Sequence, residues 1–539
     1  VLYPYTPGQE PDLRRTMVFR CSIEQVTANR ITLVLRAPQT DANVFLRDAD
    51  KHWAIEHDFI ESSYSSLYRG MHAFLSAPQE RRDLLLLQRD PTVDSSLQLC
   101  GDYGKFNELA LRVKQAQDFF LIIGPPGTGK TSFGLMTTLH EALLTPDASI
   151  LLLSYTNRAV DEICSKLVEE KLDFIRIGNE LSCPEIYRPY LLSSAVSECS
   201  RLAQVKERIM SGRIFVGTTT ALNTSMSLFR LKSFDLAIVD EASQILEPHL
   251  MGLLSAVKDN APAIRKFVFI GDHKQLPAVV QQHSDESRVQ EAALNDILLT
   301  DCRLSLFERL LKRYRERPEV VFMLKRQGRM HHDIADFPNR AFYAGQLTEV
   351  PLEHQQQPLP EAASHADFFK KILTTQRIAF IAAPQPPKSP SDKVNQTEAD
   401  LIAEAVVKIY ELTGSNFDVA HTVGIIVPYR NQIATIRNTL DRYGIPALHD
   451  ITIDTVERYQ GSQRDYILYG FTIQQYYQLN FLTDTVFEED GALIDRKLNV
   501  AMTRAREHLL LFGNPDLLSA VPTFKELLEY TQARGAYFK

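Results

Sequence analysis

Apolar residues follow two rhythms along this chain, and the change between them falls near residue 119. Ahead of that point, residues 17–24 and 30–36 read as strands, with Thr27-Ala28-Asn29 as the turn between them. From His52 to about Leu87 the spacing of Ile55, Phe59, Leu67, Met71 and Leu75 fits one face of a helix, which Trp53, the only tryptophan, is expected to anchor. Beyond 119 the apolar positions come as short unbroken runs: 119–123, 150–153, 174–177, 214–216, 236–239 and 267–270. A second series follows at 378–381, 423–427, 466–469 and 509–512. Unbroken runs describe strands covered on both faces, hence parallel sheets flanked by helices. The pattern predicts an α/β protein with two such sheets, and places residues 350–366 and the proline-rich 384–390 in surface loops of the second.

Composition narrows this picture only a little. At 539 residues the chain exceeds what one core can organise, and its length suggests about three or four domains. Hydrophobic and charged contents of 44% and 23% are those of an ordinary globular protein, and no apolar run approaches the ~18 residues of a membrane span. The chain opens at Val1 without a signal-like segment, as a piece of something longer would. Cys21, Cys100, Cys164, Cys183, Cys199 and Cys302 are scattered without a Cys-x-x-Cys pair. They read as reduced thiols of an intracellular protein, cytoplasmic if bacterial and nuclear if eukaryotic. A formal charge of −8 excludes an all-over basic coat but leaves room for a local cationic groove. Arg14, Arg15, Arg20, Arg30 and Arg36 against Asp12 and Glu24 make one basic patch, either a solvated hairpin face or a nucleic-acid contact.

Chemistry is concentrated at the ends of the apolar runs. The run 119–123 leads into Gly124-Pro125-Pro126-Gly127-Thr128-Gly129-Lys130-Thr131, a strand, glycine-rich loop and helix start in the order a triphosphate site requires. Its glycines let backbone N–H groups approach phosphate oxygens, Lys130 supplies a point charge, and the Thr131 hydroxyl can ligate Mg²⁺. Asp240 and Glu241 end the run 236–239, at the edge where open α/β sheets bind ligands. Asp240 is positioned to hold Mg²⁺ beside Thr131, and Glu241 to orient or deprotonate the attacking water. After 267–270 comes Gln275, whose amide can both donate to a terminal phosphate and accept elsewhere.

Taken in order, these motifs resemble those of superfamily 1B helicases. The set comprises the phosphate loop, Ser154 to Asp161, Asp240 to Gln244, Gly271 to Pro277, Gln327-Gly328-Arg329-Met330-His331, Thr455 to Asp465 with Gln460-Gly461, and Leu498 to Arg506. The likeness covers about residues 100–515. Ser154 to Asp161, Arg176-Ile177-Gly178 and Ser305 to Leu310 most resemble the helicase portion of Dna-two-type replication nuclease–helicases, with Upf-type RNA helicases next. The resemblance implies two tandem RecA-like P-loop domains, 101–345 (domain 1A) and 346–539 (domain 2A), preceded by a small β-barrel at 1–48 (1B) and a helical stalk at 49–100. It implies an ATP- and Mg²⁺-dependent motor moving 5′-to-3′ on single-stranded nucleic acid, DNA favoured over RNA. No membrane partner, a monomeric state, and a nuclease module or partner protein beyond Val1 complete the expectation.

Residue by residue, the resemblance assigns Lys130, Glu241, Gln275, Arg329 and Arg504 to catalysis, the two arginines reaching the terminal phosphate from the second domain. Nucleotide contacts fall on the loop 124–131, Asn107, Gln327 and Gln463; strand contacts fall on Thr156, Asn157, Thr218, Thr219, Thr220, Pro428, Tyr429, Arg430, Thr455 and Val456. Three positions depart from the family pattern. Asn107 stands where a glutamine usually reads adenine, Gly328 where an aromatic ring usually stacks on the base, and Gln463 where an acid usually meets the ribose. All three touch base or sugar and spare the triphosphate machinery, so robust NTP hydrolysis with weak preference for adenine is expected. The rival expectations are an ATPase that switches on nucleic acid without separating strands, and a binding scaffold with a dead site, which the intact catalytic set opposes.

Overall fold

Each unbroken apolar run beyond residue 119 forms a parallel strand in the computed structural model, which describes residues 1–8, 16–37, 39–46, 52–57, 63–280, 282–360, 367–384, 389 and 391–539. The chain divides into two compact units, Val1–Tyr68 and Arg69–Lys539.

In the first unit, β1 (Leu2–Tyr5) pairs antiparallel with β4 (His52–Ile55), and β2 (Cys21–Val26) with β3 (Ile31–Leu35). The β2–β3 turn closes through Thr27 N donating to Arg30 O at 2.8 Å, as the sequence led us to expect. The helix expected from His52 is corrected: it starts only at Ser63–Ser76, and His52–Ile55 is a strand. β1 offers that segment a hydrogen-bonding edge from far away in sequence, which local apolar spacing cannot register. Trp53 accordingly packs in a ring cluster with Phe45 and Phe19, 5.3 and 6.1 Å between centroids, and anchors a sheet instead of a helix. The described residues of this unit form two-stranded sheets and no closed barrel. Asp12, Arg14 and Arg15 of the basic patch, and Phe59 of the expected helix face, lie outside the described residues, as do 361–366 and most of 385–390 of the expected loops.

The second unit holds two lobes. The first is built on β5 (Phe119–Ile123), β6 (Ile150–Ser154), β7 (Ile175–Ile177), β8 (Ile214–Thr218) and β9 (Phe234–Val239); a small hairpin, β10 (Val257–Lys258) with β11 (Ala261–Pro262), precedes β12 (Ile264–Gly271) and β13 (Val321–Met323). Seven of these form one parallel sheet in the order β13-β5-β12-β9-β6-β8-β7. A short pair, β14 (Arg326–Gln327) with β15 (Thr348–Glu349), leads to the second lobe. There β16 (Ile378–Ala382), β17 (Val423–Ile426), β18 (Thr452–Asp454), β19 (Arg464–Gly470), the antiparallel hairpin β20 (Phe487–Glu489) with β21 (Ala492–Ile494), β22 (Ala505–Gly513) and β23 (Tyr537–Phe538) follow. Its six-stranded sheet is again parallel, ordered β18-β17-β19-β22-β16-β23.

Helices cover both faces of each sheet, so nearly every strand side chain is buried. Met330, Ile334, Phe337, Phe342 and Tyr343 are buried with Leu498, Val500 and Leu511 in the core of the second lobe. The second lobe therefore begins ahead of residue 346, because the apolar face of helix His332–Tyr343 packs on the second sheet and not the first. Among the described residues no helix is long and apolar enough to cross a membrane. For function, the decisive feature is the central order β5-β12-β9. It sets the loops 124–131, 271–277 and 240–244 side by side at the carboxyl edge of the sheet.

Candidate functional site

The phosphate loop is fixed by backbone before any ligand arrives. Gly124 N donates to Gly271 O at 2.9 Å, tying the loop to β12, and the buried Thr128 hydroxyl donates to Pro125 O at 2.7 Å. Gly127 and Gly129 have φ of +74° and +77°, a region that a Cβ makes costly. A Cβ on Gly124 would lie 2.1 Å from Lys130 Cγ, so only glycine leaves Lys130 room to fold back over the loop.

Lys130 Nζ lies 3.0 Å from Glu241 Oε1, and the Thr131 hydroxyl donates to Asp240 Oδ2 at 2.8 Å. Glu241 holds a left-handed backbone, φ +53°, rare for a side chain of its size and found where a carboxylate must be aimed. Glu241 N donates to Asp240 Oδ1 at 2.9 Å, and Gln244 Nε2 donates to Glu241 Oε2 at 3.0 Å, fixing both acids. Burial, and then the neighbouring Glu241 charge, push the Asp240 carboxyl up to about 7 against the pull of Lys130 and Thr131. Burial opposes the charge on Lys130, but Glu241, Asp272 and Asp240 outweigh it and raise its pKa. The pocket thus has more negative charge than its one lysine satisfies. Two converging hard oxygen donors, Thr131 Oγ1 and Asp240 Oδ2, in such a place fit a divalent cation such as Mg²⁺.

The second lobe reaches this site through two arginines. Arg504 is buried and its Nη2 donates to Gln275 Oε1 at 2.8 Å, while Gln275 Nε2 donates to Asp272 Oδ2 at 2.8 Å. Arg329 lies against the phosphate loop: a Cβ on Gly127 would meet Arg329 Cβ at 2.6 Å, and Gly328 N donates to Gly127 O at 2.9 Å. Arg329 Nε donates to Gln463 Oε1 at 2.9 Å, so Gln463 holds the arginine. Burial, then the neighbouring Arg329, lowers the Arg504 pKa to about 9, and burial lowers that of Arg329. Among the described residues neither arginine has a carboxylate within ion-pair distance.

Sequence reasoning missed the relay behind Gln275. The Tyr343 hydroxyl donates to Asp272 Oδ2 at 2.8 Å, and Asn499 Nδ2 donates to the Tyr343 oxygen at 2.8 Å and to Lys274 O at 2.7 Å. Asp272 and Asn499 sit inside motifs already singled out, but nothing local marks Tyr343.

Other expected residues are placed elsewhere. Gln327 is buried and spends its amide on its own turn, accepting from Arg329 N and Met330 N at 3.0 and 2.8 Å and donating to Met330 O at 2.9 Å. Asn107 accepts from Tyr103 N at 2.6 Å and donates to Asp102 Oδ1 at 2.8 Å, closing its own turn. In this structure the hydrogen-bonding groups of both are matched nearby. Beside Asn107, Phe106 and Lys105 line a cavity of about 730 Å³ that Thr128 of the phosphate loop also lines.

Of the expected strand contacts, Thr156, Asn157, Thr220 and Arg430 are exposed. Thr156 and Thr218 cap the following helices, accepting from Ala159 N at 3.2 Å and Ala221 N at 3.1 Å, which leaves each hydroxyl hydrogen free to donate. Pro428 and Tyr429 are half-buried at the end of β17, and Thr455 opens the helix Val456–Tyr459 after β18. The Thr219 and Val456 side chains are buried.

Comparison with known proteins bears on this arrangement. AAA-domain family models match residues 107–281 and 302–516. The chain is 28% identical over 536 residues to the DNA replication ATP-dependent helicase/nuclease JHS1 of Arabidopsis thaliana, covering 95% of this chain and 36% of that protein. It is 29% identical to the human DNA replication ATP-dependent helicase/nuclease DNA2 over 78% of this chain and 38% of that one, and 30% identical to the mouse protein over the same shares. The chain thus spans a little over a third of the length of these curated relatives. Arterivirus nonstructural protein 10 (helicase), solved with DNA, aligns over 75% of this chain and 62% of its own at 16% identity with a TM-score of 0.37. The chain is a homologue of the DNA replication helicase/nucleases at about 28% identity over most of its length, and its AAA-domain matches fit a Upf-like superfamily 1 helicase.

Proposed function

We propose that this chain is an ATP-driven helicase on single-stranded DNA, moving 5′-to-3′. The observation that carries the reading is the hydrogen bond from Arg504 to Gln275, which joins an arginine of one lobe to the loop beside the phosphate loop in the other. ATP would seat its phosphates on the loop 124–131, against Lys130. A Mg²⁺ held by Thr131 and Asp240 would neutralise phosphate oxygens as charge moves between them. Glu241, aimed by its own backbone, accepts a proton from the attacking water, and Gln275 turns its amide toward the departing phosphate. Arg329 and Arg504 place permanent planar cations on the charge that shifts. Loss of that phosphate removes their partner and loosens the lobes. Because the loops after β6 and β8 in one lobe and after β17 and β18 in the other present hydroxyls, amides and helix starts, each lobe can hold backbone phosphates without reading bases. Alternating closure and opening then advances one grip past the other.

The purine and ribose belong in the cavity lined by Phe106 and Lys105. DNA over RNA, direction, a monomeric state, an intracellular setting and a nuclease module elsewhere in the full protein are all part of this reading, and rest on the likeness to the replication helicase/nucleases. One set of measurements tests it: ATPase stimulation by single-stranded DNA and RNA, then unwinding of labelled forks carrying a 5′ or a 3′ tail. Wild type should open the 5′-tailed fork and Lys130→Ala should open none. Stimulated hydrolysis with no fork opened would show a switch in place of a helicase.

A further inference from the structure

We infer that Tyr343 and Asn499 are positioning residues for hydrolysis, through which the second lobe sets the direction of the Gln275 amide. This deepens the proposed reading of the nucleotide site and rests on it. Tyr343 ends the helix His332–Tyr343, whose apolar face is buried in the second lobe, and Asn499 lies in the helix Arg496–Met502 of the same lobe. Both reach the loop that follows β12 in the first lobe. The Tyr343 hydroxyl meets Asp272 Oδ2 at 2.8 Å and Asn499 Nδ2 meets Lys274 O at 2.7 Å, while Lys274 Nζ in return donates to Phe342 O at 3.0 Å.

The chemistry of the groups fixes the direction of each bond. A carbonyl oxygen only accepts, so Asn499 turns its Nδ2 to Lys274 O, and the same nitrogen donates to the Tyr343 oxygen at 2.8 Å. The single hydroxyl hydrogen of Tyr343 then goes to Asp272. Burial, and then the Asp272 charge, raise the Tyr343 pKa well above its ordinary value, so that hydrogen stays in place at any working pH. Asp272 is fully buried and otherwise held by backbone: Lys274 N donates to its Oδ1 at 3.1 Å, and its own N–H donates to Ser243 Oγ at 3.2 Å. A carboxylate accepts and a guanidinium donates. Gln275 therefore turns its nitrogen to Asp272 Oδ2 and its oxygen to Arg504 Nη2, each 2.8 Å away. One of the two hydrogens on that nitrogen is used on Asp272. The other is the donor that the proposed reading gives to a terminal phosphate.

Simple docking of the lobes would not call for this order. Asn499 Oδ1 is buried without a donor among the described residues, and apolar packing would join the lobes without that penalty. Turning the Asn499 amide over would set its oxygen against Lys274 O and take the donor from Tyr343. The unmatched oxygen thus accompanies a fixed polarity that ends on Gln275. That polarity lasts only while the second lobe is docked, since Tyr343, Asn499 and Arg504 all belong to it. With the lobes apart, Asp272 loses one donor, Gln275 loses its guanidinium, and the amide is free to turn.

A double-mutant cycle tests the assignment, read by hydrolysis of ATP with saturating single-stranded DNA. Tyr343→Phe keeps the ring and removes the hydroxyl. It should lower kcat about tenfold and change KM for ATP by less than about twofold. Asn499→Ala should lower kcat by about threefold, because Tyr343 still holds Asp272, and it carries the cycle alone if Tyr343→Phe does not fold. In a Gln275→Ala background neither substitution should lower kcat further, since the amide they position is gone. A loss that persists in full in that background, as weakened docking or a damaged fold would give, overturns the assignment. So does a Tyr343→Phe enzyme with wild-type kcat, whether or not its KM has risen. Wild type that hydrolyses no ATP on single-stranded DNA would instead overturn the motor reading itself.

Discussion

Two of the contacts between the lobes are built on opposite principles. On the nucleotide side, Arg504 meets a neutral acceptor of the first lobe, the amide of Gln275, and Arg329 lies against the phosphate loop with its guanidinium held by Gln463 and Thr503 O of its own lobe. On the far side of the same cavity, the β20–β21 hairpin and the start of the helix Arg496–Met502 after it meet the first lobe with matched charge: Glu489 with His273 at 2.8 Å and Lys274 at 2.5 Å, Asp490 with Arg315 at 2.7 Å, and Arg496 with Glu308. The first contact keeps positive charge in reserve. The second is already complete. A bound triphosphate has something to add at the arginines and nothing to add at the hairpin, so the hairpin is suited to hinge the lobes and the arginines to clamp them.

Removing either arginine tests the clamp and should give the largest effect. Arg504→Ala or Arg329→Ala is expected to lower kcat by ~10³–10⁵, the range for an arginine placed on a transferring phosphoryl group. Nucleotide affinity, carried by the loop 124–131, should change far less. Single-turnover hydrolysis and nucleotide binding by fluorescence measure the two separately. A kcat within tenfold of wild type for both variants would mean that the reserve charge is not used. Gln275→Ala comes next, at about 10²–10³ in kcat, because it removes one positioned amide and leaves Arg504 Nη2 without the acceptor it has in the first lobe.

Cutting the hairpin should do much less. The pairs of Glu489 and Asp490 are partly exposed, and such pairs contribute about 0–1 kcal/mol each. Glu489→Gln is expected to change kcat/KM for ATP by less than about fivefold and to flatten its dependence on salt. The pH signature follows from sign. Burial works to raise the Glu489 carboxyl, but His273 and Lys274 prevail and hold it down to about 2. A depressed carboxyl contributes fully above its ordinary value near 4.5 and loses its contribution as pH falls through about 2. Wild type and Glu489→Gln should therefore have parallel pH–activity profiles between about pH 8 and 9, above the range in which an imidazole such as the one paired with Glu489 ordinarily titrates. A difference opening within that window would assign the hairpin a titrating role that its geometry does not support.

The same contrast between built-in and borrowed partners explains what the sequence could and could not reveal. Unbroken apolar runs mark strands buried on both faces, so the long central strands of both sheets were legible. Val321–Met323, Thr452–Asp454 and Tyr537–Phe538 were not, being two- or three-residue segments whose strand character comes from a neighbour already in place. In the site, Lys130, Thr131, Asp240, Glu241 and Gln275 were found because a strand end plus a motif fixes where such a side chain emerges. The hydrogen-bond partners of Gln327 and Asn107 were not legible, for the opposite reason. An amide has no intrinsic direction, and each turned to the nearest unpaired backbone or side-chain group. Tyr343 escaped notice because only the docking of two lobes gives its hydroxyl a purpose.

Those two amides also decide the smallest effect. Selectivity of ~10⁴ or more requires a site whose polar groups are left unpaired by the wrong ligand. Here Asn107 is committed to Tyr103 and Asp102, Gln327 to its own turn and Gln463 to Arg329, while Gly328 provides no ring. Among the residues lining the cavity, Phe106 and Lys105 can meet the face of any purine. The kcat/KM values for ATP and GTP should therefore agree within about fivefold, since face contacts alone distinguish purines by about 1 kcal/mol or less. Asn107→Ala should leave that ratio where it is, although the turn it closes will be less stable. A hundredfold preference for ATP, lost in Asn107→Ala, would mean that the asparagine abandons Tyr103 and Asp102 when nucleotide binds, and that its turn is a latch opened by adenine.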